Sequence, residues 1–166
     1  TQPDPTAMRP LQILRNFRTL LRNRTYLGYT LTMVFAFATF FAFISGAPFV
    51  FIEVLGIAPE DFAPVTITII VIGFVAGTLL ANSFGRRFGI ERVFAWAIML
   101  SAASGVVTAV LPWVGVQSVV GIIGPLAFFA FAMGFIFPLG TAGAIGPFPY
   151  MAGAAASLLG FLESAV

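Results

Sequence analysis

The chain has 166 residues, of which 60% are hydrophobic and 8% are charged, whereas a soluble domain has about 45–50% apolar and about 25% charged residues. A soluble globular fold is therefore excluded, because so few charges cannot cover the surface of a protein of this size. The absence of cysteine and histidine excludes disulfides, Cys/His metal sites and histidine acid–base catalysis, so no cofactor or metal is expected.

The charged residues divide the chain into long apolar stretches. Residues 25–52, 62–85 and 93–162 contain no Asp, Glu, Lys or Arg. A membrane-spanning helix needs about 20 apolar residues, so each of the first two stretches predicts one helix. The third stretch is long enough for three helices, and the breakers at 112–115 (PWVG) and 140–149 divide it accordingly. The sequence predicts an all-α integral membrane protein with five transmembrane helices, near residues 26–52, 62–82, 93–111, 117–138 and 149–166.

The segment before the first helix, residues 1–24, is interpreted as a cytoplasmic linker that carries a basic amphipathic stretch at 8–24. Apolar residues recur there at steps of three and four, opposite the basic residues: Leu11, Leu14, Phe17 and Leu21 against Arg15, Arg18 and Arg22. As a helix this stretch would lie on the membrane with its arginines among lipid headgroups. A plain juxtamembrane anchor is the favoured interpretation, and a specific lipid or regulatory site is the alternative.

The positions of the arginines predict the topology. All eight lie within residues 9–24 or 86–92, and two predicted helices separate these groups. The positive-inside rule places both groups on the cytoplasmic face and the acidic loop 53–61 on the other face. The chain is therefore expected to begin in the cytoplasm and to reach the outer face near residue 166. Since the last stretch ends when it has only just reached spanning length, we interpret the chain as part of a longer protein, truncated before a sixth helix.

The first and fourth predicted helices are rich in phenylalanine on more than one face. Most of these rings are therefore expected to contact lipid or neighbouring helices. The alternative is that a subset, Phe37, Phe41 and Ser45 at i, i+4 and i+8, lines a cavity for a hydrophobic compound. Aromatic walls suit such ligands because they offer a large contact area with few rotatable bonds.

Other residues within the apolar stretches predict bending, packing and one polar site. Pro48 and Pro138 are expected to kink their helices, because proline removes a backbone hydrogen bond. Gly73 and Gly77 form a small-xxx-small pair that allows close approach of another helix. Glu163 is the ionisable residue expected within the membrane; a carboxylate near the outer boundary is favoured, and a role in proton coupling or substrate contact is the alternative.

Three segments of the chain resemble one family. Residues 41–56 (FAFISGAPFVFIEVLG) with 59–62 (PEDF) resemble the seventh helix and following loop of the Bcr/CflA-type drug-resistance transporters, a branch of the major facilitator superfamily. The segment RRFGIER, which contains Arg86, Arg87, Gly89 and Arg92, is similar to the cytoplasmic loop motif between helices eight and nine. Residues 152–162 (AGAAASLLGFL) are similar to helix eleven.

The resemblance implies a major-facilitator-type half bundle in which the five spans are helices seven to eleven and residues 1–24 end the central cytoplasmic linker. It implies a drug:proton antiporter of the bacterial inner membrane, in which two six-helix halves rock about a central site and move small hydrophobic or amphiphilic compounds outward. Helices seven, eight, ten and eleven would face the cavity or the opposite half, and helix nine would face lipid. Phe128, Phe131 and Phe135 then join the first helix's stripe as candidates for the cavity wall.

The same resemblance implies partners for this chain. They are the missing amino-terminal half and twelfth helix of the same protein, membrane lipids, a drug-like substrate and protons; nucleic acid is not expected. Because the main proton-coupling groups of such antiporters lie in the amino-terminal half, the chain alone is not expected to transport. The alternative is a small multi-span membrane scaffold or oligomeric channel subunit. An enzyme is not expected, since polar catalytic groups at membrane depth are lacking apart from Glu163.

Overall fold

The computed structural model describes residues 10–54, 56–114 and 119–165, and these are almost entirely helical. They divide into two compact units, the first formed by Thr1–Ala38 with Gly140–Val166 and the second by Thr39–Leu139. The elements, in chain order, are α1 (Pro10–Arg22), α2 (Arg24–Pro48), a π-helical segment (Phe49–Val54), α3 (Pro59–Phe88), α4 (Ile90–Val110), a 3₁₀ turn (Leu111–Val114), α5 (Val119–Ile145), a second 3₁₀ turn (Pro149–Met151) and α6 (Ala152–Ser164).

Four helical segments in the described residues are long and apolar enough to cross a membrane: Arg24–Glu53, Pro59–Phe88, Ile90–Val110 and Gly121–Ile145. They correspond to the first four predicted helices. In the last of them 56% of the most apolar window is buried, against 11% in the second. The fourth spanning helix is thus the most enclosed, while the second leaves most of its apolar surface uncovered by the described residues.

Two helices extend further than the sequence pattern predicted. α3 was expected to end at 82 but continues to Phe88, because Arg86 and Arg87 suit the negative end of the helix dipole. α5 was expected to end at 138 but continues to Ile145. The glycines at 140 and 143 do not end it, since helices of membrane proteins tolerate glycine, and the helix ends only before Gly146 and Pro147.

The fifth predicted span, 149–166, has a different form. The 3₁₀ turn Pro149–Met151 precedes α6. α6 itself has 13 residues, Ala152–Ser164. Three predicted features lie outside the described residues. They are the start of the linker at residues 1–9, the start of the fourth helix at 115–118 and the outer end of the chain at 166.

The core of the first unit joins α1, the start of α2, the end of α5 and the start of α6. Leu20, Tyr26, Ala144 and Ala155 are fully buried there, and the Tyr26 hydroxyl donates a hydrogen bond of 2.8 Å to the carbonyl oxygen of Ala155. One side of the amphipathic helix α1 thus packs within the unit. The start of α2, the end of α5 and the start of α6 lie together, as an up-and-down bundle requires.

Packing of α3 against α5 in the second unit depends on glycine. A Cβ atom added to Gly134 of α5 would lie 2.8 Å from the backbone nitrogen of Thr78 and 2.9 Å from the Cα of Gly77. A Cβ added to Gly73 would lie 2.9 Å from the carbonyl oxygen of Ala127. The expected close approach at Gly73 and Gly77 is therefore present: Gly77 lies against Gly134, and Gly73 lies against Ala127 and Ala130.

Candidate functional site

The second unit contains an apolar cavity between α2, α4 and α5, of about 280 Å³. Its wall consists of Thr39, Ala42, Phe43, Ser104, Gly105, Thr108, Ala109, Leu126 and Phe129. The hydroxyl of Ser104 donates to the carbonyl oxygen of Leu100, and that of Thr108 donates to the carbonyl oxygen of Ser104, each at 2.8 Å. These hydroxyls keep lone pairs as acceptors, so the cavity suits an apolar molecule with at most a few polar groups.

The candidates on α5 lie on its side toward α4. Phe128, which is 60% exposed, lines a groove of about 380 Å³ between α4 and α5. Phe131 and Phe135 line a smaller cavity of about 150 Å³ together with Phe84 and Trp96. The rings of Phe131 and Phe135 are 5.2 Å apart, and those of Phe84 and Phe135 are 5.9 Å apart. Phe131 and Phe135 therefore belong to an aromatic packing cluster, and the three candidates do not share one cavity.

The candidates on α2 lie on a different face from the α2–α4–α5 cavity. Thr39 and Phe43, four residues apart, line that cavity, whereas Phe41 is 51% exposed. At about 100° per residue, Phe41 and Ser45 lie nearly opposite Phe43 on the helix. Phe37 belongs to the first unit and is half-buried. The sequence could not distinguish these faces, because phenylalanine occurs on both.

The two prolines expected to kink helices have different surroundings. Pro48 ends the regular part of α2, and the chain continues into the π-helical segment, which is the change of winding that a missing backbone donor favours. Pro138 lies within α5, which continues past it to Ile145. Pro48 also contributes to a cavity between α2 and α3, of about 360 Å³.

The residues of the loop motif lie where α3 meets α4. Gly89 has a φ of +90°, a backbone conformation that residues with a Cβ rarely adopt, and its N–H donates to the carbonyl oxygen of Gly85 at 3.0 Å. Arg86 and Arg87 lie in the last turn of α3 and are exposed, as is Arg92 at the start of α4. The glycine ends one helix and begins the next, and the basic pair complements the end of α3.

Glu163 lies near the end of α6 and is half-buried. One of its carboxylate oxygens, Oε1, is shielded from solvent and has no hydrogen-bond partner among the residues that the structure describes. A buried carboxylate oxygen without a partner is costly. This residue is thus a candidate for contact with a segment or molecule beyond the described part of the chain.

Comparison with known proteins identifies the class. The profile of the family described as "MFS/sugar transport protein" matches residues 1–145. The chain is 29% identical over 154 residues to multidrug resistance protein D of Escherichia coli, a match that covers 92% of this chain and 38% of that protein. It is 29% identical over 157 residues to a bicyclomycin resistance protein homolog of Haemophilus influenzae, covering 93% of this chain and 38% of the relative. No solved structure gives a significant match.

A shorter match points the same way. The chain is 31% identical over 72 residues to an uncharacterized MFS-type transporter, YdgK, of Bacillus subtilis, covering 43% of this chain and 18% of that protein. The chain belongs to the major facilitator superfamily of membrane transporters, in its Bcr/CflA-type drug-resistance branch. It spans less than two fifths of the length of these relatives.

Proposed function

We propose that this chain is the larger part of the carboxy-terminal half of a proton-coupled multidrug efflux transporter of the bacterial inner membrane. The relatives named for resistance to multiple drugs and to bicyclomycin support this proposal. The observation that carries it is the exposed aromatic face of α2. Phe41 is 51% exposed in the described part of the chain, on the side of α2 away from the α2–α4–α5 cavity.

The arrangement of the half bundle forms part of the proposal. α2 to α5 are helices seven to ten, and α6 with the turn before it is the first part of helix eleven. The buried Tyr26–Ala155 contact supports this order, because it joins the starts of two helices that both leave the cytoplasm. The amino-terminal half and the twelfth helix are the partners that complete the protein, in keeping with the greater length of the relatives.

The orientation and the basic segment follow from the charges. The chain begins in the cytoplasm, where the exposed Arg15, Arg18, Arg22 and Arg24 attract anionic lipid headgroups. Leu14, which is 69% exposed, supports insertion of the outer side of α1 at the membrane surface. α1 then serves two purposes: its inner side packs within the first unit and its outer side contacts lipid.

The substrate class follows from the face of α2. Phe41 and Ser45 offer a ring and a hydroxyl to a central cavity shared with the opposite half, which suits small hydrophobic or amphiphilic compounds. Phe128, Phe131 and Phe135 lie toward α4, the helix that faces lipid in this architecture. We therefore assign Phe131 and Phe135 to packing and keep Phe41 and Ser45 on α2 as the cavity wall.

Proton coupling requires titratable groups at membrane depth. Glu163 is one such group on this chain, and its shielded oxygen supports a contact with the missing part of the protein. The main coupling groups belong to the amino-terminal half. The chain alone, reconstituted in liposomes, is therefore expected to move no drug in response to a proton gradient, and proton-driven drug movement by these residues alone would contradict the proposal.

The test uses the full-length transporter in a bacterial strain that lacks its own efflux pumps. Expression should raise tolerance to a panel of hydrophobic drugs, and dissipating the proton gradient should remove that effect. Phe41→Ala should weaken apparent drug affinity by about tenfold or more, since a lost ring contact is worth about 1.5–3 kcal/mol. Phe35→Ala is the matched control, because Phe35 is 69% exposed on another face of α2.

Two results would refute the proposal at different levels. If the full-length protein does not change tolerance to any compound in the panel, multidrug efflux is wrong. If tolerance changes but Phe41→Ala behaves like Phe35→Ala at equal protein level, efflux stands and the assignment of the α2 face is wrong.

A further inference from the structure

The cavity between α2 and α3 contains one buried polar group that its surroundings leave unsatisfied. Thr66 is part of the cavity wall and is 5% exposed. Its hydroxyl oxygen is shielded from solvent and has no hydrogen-bond partner among the described residues. A threonine in a helix ordinarily bonds the carbonyl four residues earlier, as Thr78 of the same helix does to Phe74 at 2.9 Å. Thr66 leaves this option unused.

The rest of the wall is apolar. It consists of Phe43, Ile44, Ala47, Pro48, Phe62, Ala63, Ile67 and Ile70. The side chains of this wall offer one hydroxyl and are otherwise apolar. An organic molecule with an apolar body and one polar atom therefore matches both the wall and the hydroxyl.

The cavity has the size of a ligand site, and several of its lining residues pack against the core. Its volume is about 360 Å³, within the range of about 300–1,000 Å³ that is usual for small-molecule pockets. The ring of Phe62 packs edge-on against Phe51 at 5.7 Å, and Phe51 is fully buried. Ala47 and Ala63 provide the room, since larger residues at these positions would fill it.

We propose that the α2–α3 cavity binds a small amphiphile, with its apolar body against Phe43 and Phe62 and one hydroxyl or carbonyl oxygen hydrogen-bonded to Thr66. The site lies on the other side of Phe43 from the α2–α4–α5 cavity, and apart from the central cavity wall proposed for Phe41. Binding of the ligand at this site does not depend on whether the protein exports that ligand. Phenolic compounds and the ester region of a lipid share the required chemistry.

A single-cysteine assay tests the site without measuring transport. These 166 residues contain no cysteine. Once any cysteine in the rest of the full-length protein is replaced by serine, Ile67→Cys introduces a single thiol at a wall position that is 59% exposed. The probe is 1-naphthol, compared with 1-methylnaphthalene, which has similar size but no hydrogen-bonding oxygen. The measurement is the rate of alkylation of this cysteine by N-ethylmaleimide in the full-length protein in detergent. Leu79→Cys, on the same helix and 72% exposed, reports non-specific effects.

The expected result is that 1-naphthol slows alkylation at position 67, at lower concentration than 1-methylnaphthalene, and leaves position 79 unaffected. Thr66→Val should weaken protection by 1-naphthol about threefold to tenfold, the value of one net hydrogen bond, and should not change protection by 1-methylnaphthalene. Thr66→Ser, which keeps a hydroxyl, should retain the protection by 1-naphthol. Thr78→Val, on the same helix, should have no effect, because the hydroxyl of Thr78 bonds its own helix.

A lipid arm identifies the source of the ligand. If phosphatidylcholine added to the detergent protects position 67 in a manner that depends on Thr66, a lipid ester is an occupant of the same site. If the two naphthalene compounds protect position 67 equally, or if Thr66→Val leaves protection by both 1-naphthol and lipid unchanged, the proposed hydrogen bond is wrong. None of these outcomes depends on drug efflux, so the two proposals fail separately.

Discussion

Replacing Gly134 by alanine tests the close packing of α3 and α5. The added Cβ would lie 2.8 Å from the backbone nitrogen of Thr78 and 2.9 Å from the Cα of Gly77, and it would also contact the carbonyl oxygen of Phe74. Carbon atoms prefer separations of about 3.5–4.0 Å. All three obstacles are backbone atoms, so no side-chain rotation relieves them and the two helices must separate.

The cost can be estimated from these contacts. Overpacking of this kind costs about 1–3 kcal/mol, and the higher helix propensity of alanine returns at most about 1 kcal/mol. We expect Gly134→Ala to lower the free energy of unfolding by about 1–2 kcal/mol. Gly124→Ala is the matched control on the same helix, because nothing lies within 4 Å of its added Cβ.

The assay is reversible unfolding of the protein in mixed micelles with increasing dodecyl sulfate, followed by loss of helical circular dichroism. Gly77→Ala should destabilise by a similar amount, and the double variant by less than the sum, since one separation of the helices relieves both contacts. If Gly134→Ala and Gly124→Ala have the same unfolding midpoint, the helices do not depend on this glycine contact and the reasoning is refuted.

Three further outcomes follow from single contacts. Gly89 has φ +90° and ψ 141°, a conformation that is strained for a residue with a Cβ, so Gly89→Ala should cost about 1–3 kcal/mol of unfolding free energy. Gly105→Ala, at a helical glycine with open space around it, should be neutral or stabilising, and equal effects would contradict the role of the turn. Tyr26→Phe should cost about 1 kcal/mol through loss of its buried hydrogen bond, measured in the same titration, and an unchanged midpoint would show that this bond does not hold the first unit together. Phe135→Ala should destabilise the protein by about 3–5 kcal/mol because it leaves a cavity in packed surroundings, whereas Phe128→Ala, at an exposed position, should have little effect. A larger loss of stability for Phe128→Ala than for Phe135→Ala would contradict our assignment of Phe135 to packing.

The contact between α3 and α5 could be predicted from the sequence only in part. The pair Gly73 and Gly77 predicted a close approach, because small residues at this spacing are readable in one segment. Gly134, which lies opposite Gly77, could not be predicted, since one of several glycines in a later helix has no feature that marks it as the opposing one. The start of α6 could not be predicted either, because apolar composition predicted a helix from residue 149, whereas the structure describes a 3₁₀ turn over Pro149–Met151 before α6 begins at Ala152.

The ligand cavities were harder to predict than the helices. Phe41 and Phe43 differ by two positions on a helix whose faces are both aromatic, and composition cannot tell which one contacts a neighbouring helix. Ser104 and Thr108, four residues apart on α4, are a readable pair of hydroxyls that sequence reasoning missed. Thr66 could not have been found, because an unpaired hydroxyl is recognised only when its surroundings are known.

The sequence by itself determined the class of the protein, the four long spanning helices and the branch of transporters to which it belongs. It could do so because hydrophobic length, charge position and short motifs are local properties of the chain. Only the tertiary structure decided which face of each helix is covered, where the cavities lie and which polar groups lack partners. These depend on contacts between residues far apart in the sequence, and helices that are apolar on every side carry no local signal of which side meets a neighbour.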